Sequence, residues 1–193
     1  MFDAIHDIAA GFRKVVQAFS YPGEIVSVSS EIEKLEESAG LLPGTLLLAW
    51  TLLDSETSFY LPETESPSQQ FLRELTFAKW SPLEEARFVF LPLASSEEEK
   101  VSVFKNVSTG DLIDPHLGAM IILEVESFTG DTYRLTGPGM KVAKEREIPL
   151  HETFVKQRQE NNSDYPKGFD LLLLDKQGQL MALPRTTKME RIS

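Results

Sequence analysis

Apolar residues recur at steps of three and four near the start of the chain: Phe2, Ile5, Ile8, Ala9, Phe12, Val15, Val16 and Phe19. The spacing predicts a helix of about five turns with one apolar stripe. Asp3 and Asp7 stand near its beginning and Arg13 and Lys14 later, the order the helix dipole favours. Tyr21-Pro22-Gly23 stops it, and residues 24–28 alternate as a strand does. Ser30 and Glu33 form a capping-box pattern before a short acidic helical turn over 31–37. Residues 46–53 are apolar at nearly every position and read as a buried helix ending near Asp54, a buried strand being the other reading their period allows.

The pattern then alternates. Residues 57–61 predict a strand. Ser66, Pro67 and Gln69 announce a helix carrying Phe71, Leu72, Leu75 and Ala78 on one side. Ser81-Pro82-Leu83-Glu84 repeats the start signal for a shorter turn, and 87–91 is a strand. Ser96 opens a further helix with Val101, Phe104 and Val107 facing inward, broken at Thr109-Gly110-Asp111. A buried strand over 119–125 turns at Thr129-Gly130-Asp131 into a second over 132–135. Leu150, Phe154 and Val155 mark one more amphipathic helix, ending before Asn161-Asn162.

The most telling stretch comes late. Leu171, Leu172, Leu173 and Leu174 are consecutive, yet alternate strand residues point to opposite faces. Such a run requires a strand covered on both sides, as in the middle of an α/β sheet. Lys176-Gln177-Gly178-Gln179 turns it into the antiparallel partner Leu180-Met181-Ala182-Leu183, which Pro184 ends. Helices and strands alternate in the first half, and strands pair as hairpins in the second. The expected fold is α/β, three-layered, with a mixed sheet and helices on both faces. No repeat or linker divides residues 1–193, so a single domain is expected.

Composition narrows the function classes. The 193 residues contain no cysteine, which excludes disulfides, thiolate nucleophiles and thiolate-held zinc or iron–sulfur clusters within this chain. A formal net charge of −11 opposes nucleic acid and anionic membrane surfaces as partners. Asp3 and Asp7 interrupt the N-terminal apolar residues, unlike a signal peptide, and no apolar run reaches the ~20 residues of a membrane span. A soluble cytoplasmic protein is expected.

Catalytic signatures fail. His6, His116 and His151 lack the spacing of a helical metal pair, and there is no G-x-S-x-G elbow, Walker loop or G-x-G-x-x-G. Lys79, Lys105 and Lys141 are conceivable Schiff-base lysines that nothing local singles out. No catalytic residue, metal ligand or cofactor is assigned. Gly137-Pro138-Gly139 suits a tight turn or an anion-contacting loop. Arg185, Thr186, Thr187 and Lys188 follow a strand end and offer groups that hold a phosphate or carboxylate. Equally, Arg185 pairs with Asp170, because an ionised carboxylate in a leucine strand must be paired or exposed. The candidate ligand-binding set is Arg185, Thr186, Thr187, Gly137, Gly139 and Asp170.

Several blocks together resemble one family. Residues 12–23 (FRKVVQAFSYPG), 51–57 (TLLDSET), 134–139 (RLTGPG), 165–171 (YPKGFDL) and 182–187 (ALPRTT) are similar, in order, to blocks of the PhnH subunits of the bacterial carbon–phosphorus lyase core complex. Lys167, Met140 and Phe19 depart mildly from the family pattern. The resemblance implies a fold like the large domain of pyridoxal-phosphate transferases, without that cofactor, and assembly with PhnG, PhnI and PhnJ. It implies a role in forming ribose 1-methylphosphonate 5-triphosphate from methylphosphonate and a nucleoside triphosphate, and a homodimer when isolated. The family supplies no catalytic residue to carry over. The expected function is a non-catalytic or accessory subunit. The alternative is a stand-alone transferase or small-anion binder using the Arg185–Thr186 and Gly137–Gly139 loops.

Overall fold

The computed structural model describes residues 3–36, 39–62 and 66–192. Among them, seven strands form a mixed sheet in the order β1-β9-β8-β5-β4-β2-β3, and three more form a small antiparallel sheet, β10-β6-β7. The large sheet comprises β1 (Ile25–Ser27), β2 (Ser58–Tyr60), β3 (Lys79–Trp80), β4 (Phe88–Leu91), β5 (Met120–Val125), β8 (Asp170–Asp175) and β9 (Gln179–Leu183). β3, β2, β4, β5 and β8 run parallel; β9 returns antiparallel to β8, and β1 pairs antiparallel with β9, so it runs in the direction of the parallel strands.

The leucine run behaves as its pattern requires. Leu171 and Leu173 face one core with Val89, Leu91, Ile121 and Leu123, while Leu172 and Leu174 face the other with Phe59, Phe90 and Ile122. The first layer is closed by α5 (Glu97–Asn106), α6 (Glu152–Asn161) and the small sheet, made of β6 (Asp131–Thr136), β7 (Lys144–Ile148) and β10 (Lys188–Arg191). The second is closed by α1 (Ala4–Ser20), α2 (Ser29–Ile32), α3 (Pro43–Leu52) and α4 (Pro67–Thr76). The architecture is α/β, a mixed sheet with helices on both faces.

Local signals place most of these elements. Asp3 accepts from Ile5 N and His6 N to begin α1. Ser66 Oγ accepts from Gln69 N to begin α4, and Ser96 with Glu99 completes a reciprocal capping box at α5. α3 is buried all round, which resolves the helix-or-strand ambiguity of 46–53 in favour of helix.

Three expectations are corrected. Ser30 and Glu33 make no capping box: α2 begins at Ser29 without a side-chain cap, and Ser30 Oγ donates to Glu31 instead. Val101, expected to face inward beside Phe104 and Val107, is 44% exposed, and Val103 takes the place in the core. β6 is not the hairpin partner of β5; β5 pairs with β4 and β8, while β6 joins β7 and β10. The reason is pleat chemistry. β6 buries Tyr133 and Leu135 but exposes Arg134 and Thr136, so it needs water on one face, whereas β5 is covered on both. Phe2 and Glu37, counted in the predicted helices, lie outside the described residues.

Candidate functional site

Asp170 opens β8, and Arg185 follows the end of its antiparallel partner β9, so both stand at the amino end of the parallel strands. The Arg185 Nη2 lies 2.8 Å from Asp170 Oδ2, and Arg185 N donates to Asp170 Oδ1 at 2.7 Å. Arg185 Nη1 donates to Pro115 O at 2.8 Å and reaches Pro166 O at 3.5 Å. The guanidinium is therefore engaged on all sides, and only 16% of the side chain is exposed. An open pocket of about 350 Å³ lies beside it, lined by His116, Tyr165, Asp170, Arg185 and Thr186 among others. The backbone passes very close here: a Cβ on Gly118 would lie 2.8 Å from Arg185 Nη1, and one on Gly168, at φ +135°, 2.5 Å from Asn162 Oδ1. Bulkier residues would push the loops off the arginine.

The other predicted residues part company. Thr186 borders the pocket, but Thr187 is buried and its Oγ1 has no hydrogen-bond partner. Its carbonyl accepts from Arg158 Nη1 at 3.0 Å. Gly137, at φ +139°, packs against Thr186 O, a position no side chain tolerates. Gly139 turns away toward Pro22 and Ser20 O. The two loops touch, then, but through a carbonyl, which repels an anion.

Arg158, unflagged by sequence, organises this turn. It is 1% exposed and donates to Leu183 O, Pro184 O and Thr187 O. Burial lowers its guanidinium to about 10, opposed by the charge of Asp170, so it stays cationic at neutral pH. A buried cation held by carbonyls fixes the chain's last crossing from the large sheet to the small one.

Ligands of parallel α/β sheets collect at the opposite end, outside the strand carboxyl termini. There Glu124, 3% exposed near the end of β5, accepts from Leu42 N at 2.9 Å, Thr45 Oγ1 at 2.5 Å and Leu93 N at 2.9 Å. α3 has no side-chain cap from its own first residues, so a carboxylate from the sheet supplies one. The position where an anion would meet a helix N-terminus is filled by the chain itself. Beside it a cavity of about 440 Å³, lined by Leu61, Pro67, Pro92, Ala94 and Glu99 among others, opens between the ends of β2 and β4.

The remaining candidates are dispersed. His6 pairs with Asp3 at 2.9 Å, His116 lies 3.6 Å from Asp114, and His151 begins α6 by accepting from Thr153 N. Lys79, Lys105 and Lys141 are exposed on three separate segments. Among the described residues no group of three or more His, Asp or Glu side chains is placed to hold a metal ion. Glu124 carried the same sign as Asp170, a lone carboxylate in an apolar strand. Its partners at 42, 45 and 93 had none.

Comparison with known proteins gives this arrangement its context. The family model of PhnH, described as a bacterial phosphonate metabolism protein, matches residues 1–190. The chain is 32% identical over 178 residues to the "Putative C-P lyase subunit protein HtxG" of Stutzerimonas stutzeri, covering 91% of this chain and 82% of that one. It is 27% identical over 199 residues to the alpha-D-ribose 1-methylphosphonate 5-triphosphate synthase subunit PhnH of Rhizobium meliloti (strain 1021), covering 98% and 93%. A match over this span, with the Asp170–Arg185 blocks inside it, shows that the chain belongs to the PhnH family of bacterial phosphonate metabolism proteins.

Proposed function

We propose that this chain is an accessory, non-catalytic subunit of a carbon–phosphorus lyase core complex. In that role it contributes to making ribose 1-methylphosphonate 5-triphosphate from methylphosphonate and a nucleoside triphosphate. The observation that carries the reading is the family match across residues 1–190, together with relatives whose names call them subunits. The internal geometry supports it. The most promising anion-binding side chain, Arg185, is spent on Asp170 and two carbonyls, and the sheet's carboxyl end is occupied by Glu124.

The proposed partners are PhnG, PhnI and PhnJ subunits, with a homodimer formed in their absence. A likeness to the large domain of pyridoxal-phosphate transferases belongs to the same proposal, as does the absence of that cofactor. Co-expression with the three companions tests the reading. The expected result is a stable assembly that comes through size-exclusion chromatography together, with no ribosylation of methylphosphonate by this chain alone. Turnover by the isolated chain, or failure to join the companions, would overturn it.

A further inference from the structure

Two loops at the amino end of the parallel strands display apolar side chains to solvent. In the loop over 109–118, Leu112 is 66% exposed, Ile113 88% and Leu117 43%; in the loop over 163–169, Tyr165 is 72% exposed. Single exposed apolar residues are ordinary, but a group of four on adjoining loops is not.

These loops are built rather than slack. The Asp111 carboxylate accepts from Ile113 N and Asp114 N, both at 2.7 Å, and so shapes the tip. Ser108 Oγ donates to Leu117 O at 2.9 Å, and Leu117 N to Asp114 O at 3.0 Å. Gly168 N donates to Thr109 O at 2.8 Å, joining one loop to the other. Arg185, anchored on Asp170, holds both: Pro115 O belongs to the first loop and Pro166 O to the second. A salt bridge in the sheet thus sets the shape of a surface that it does not itself present. Ordering a contact surface beforehand lowers the cost of binding.

Charge selects the occupant. Asp111, Asp114 and Asp164 belong to the two loops, where Lys167 pairs with Asp164 at 2.8 Å, so the carboxylates outnumber the lysine on a chain whose net charge is −11. Asp111 is held below the ordinary carboxylate range by its two backbone donors, so it is anionic at neutral pH. A second copy docked on the same face would set carboxylates against carboxylates.

We propose that these two loops are the docking surface for a companion subunit, which receives Leu112 and Ile113 in an apolar recess rimmed by Lys or Arg side chains. This rests on the subunit reading above. Arg185 is a positioning residue for that surface.

The test uses the full chain co-expressed with the companion subunits. Assembly by the unmodified chain checks the subunit reading; if it fails, that reading falls first. Given assembly, L112E/I113E should weaken it by about tenfold or more, as loss of a central apolar anchor does. The melting temperature should hold, since both side chains already face water. L112S/I113S provides the same test without added charge. D114K/D164K should weaken assembly most at low salt, where rim charges steer association. Arg185→Met should lower both affinity and melting temperature. Normal assembly by L112E/I113E and L112S/I113S would overturn the proposal. So would a change confined to the isolated chain's oligomeric state or to binding of anionic vesicles, which would assign the surface to a second copy or a membrane.

Discussion

Two buried charges show how individual residues tie this fold together. Glu124 joins the end of β5 to the start of α3 and to the loop after β4 through three donors. Glu124→Leu leaves Leu42 N, Thr45 Oγ1 and Leu93 N short of an acceptor, and the expected loss is about 3–5 kcal/mol. Glu124→Gln keeps one carbonyl oxygen and should lose less; urea unfolding of the three proteins checks the order. Arg158 joins α6 to the carbonyls of residues 183, 184 and 187. Arg158→Met strands those carbonyls and should cost about 2–4 kcal/mol. Arg158→Lys should restore only part, since an ammonium cannot reproduce the planar fork. The Asp170–Arg185 contact was legible because a lone carboxylate among leucines demands a partner, and an arginine sits just past the return strand. Arg158 was not legible: it stands in a polar helical run, Lys156-Gln157-Arg158-Gln159, that reads as solvated.

At the scale of elements, pattern worked where burial was two-sided or strictly alternating and failed where an element is nearly all polar. β8, α3 and the capped helices α4 and α5 stand where periodicity put them. β7 (Lys144–Ile148) buries only Ile148 and β10 (Lys188–Arg191) only Met189, so neither carried a strand signature. They exist because β6 has two open edges and a buried face to complete. Where this small sheet meets the rest of the chain, Lys144 Nζ lies 2.8 Å from Glu24 Oε1, and Arg146 Nε donates to Gly23 O at 2.9 Å. The hydrogen bond and charge of Lys144 hold the Glu24 carboxyl below its ordinary value of 4.5. A carboxylate depressed in the folded state stabilises above its unfolded pKa, and the contribution is lost as pH falls through the folded value. Lys144→Met should therefore flatten the stability curve below the ordinary carboxylate range. The pair is partly exposed, so the effect should stay under about 1 kcal/mol and shrink in high salt. A sharper effect belongs to β8: Leu172→Ala, fully buried between sheet and helices, should cost about 2–5 kcal/mol in urea unfolding.

For the molecule as a whole, the two ends of the parallel strands have different characters. The carboxyl end, where α/β sheets gather ligands, carries its own anion in Glu124. The amino end carries a salt bridge and a set of loops with exposed apolar tips. That polarity fits a chain that binds companions rather than turning over a metabolite. It also yields an expectation for the isolated chain: ATP, methylphosphonate or pyridoxal phosphate should leave its melting point unmoved. A specific ligand at 100 times its Kd would add about 2.7 kcal/mol of stability, a shift thermal denaturation readily detects. A clear shift abolished by Arg185→Ala would favour the small-anion alternative instead. The sequence by itself determined the α/β class, the two-sided strand at its centre, most helix starts and, through five blocks in order, the family. These depend on side-chain type at fixed local spacing, which is written along the chain. Only the tertiary structure decided that β5 and β6 belong to different sheets, that Glu124 caps a helix 82 residues away, and that Arg185 faces inward to hold two loops. Those outcomes depend on which distant backbone groups are left without partners once the sheets have packed, and no local pattern records that.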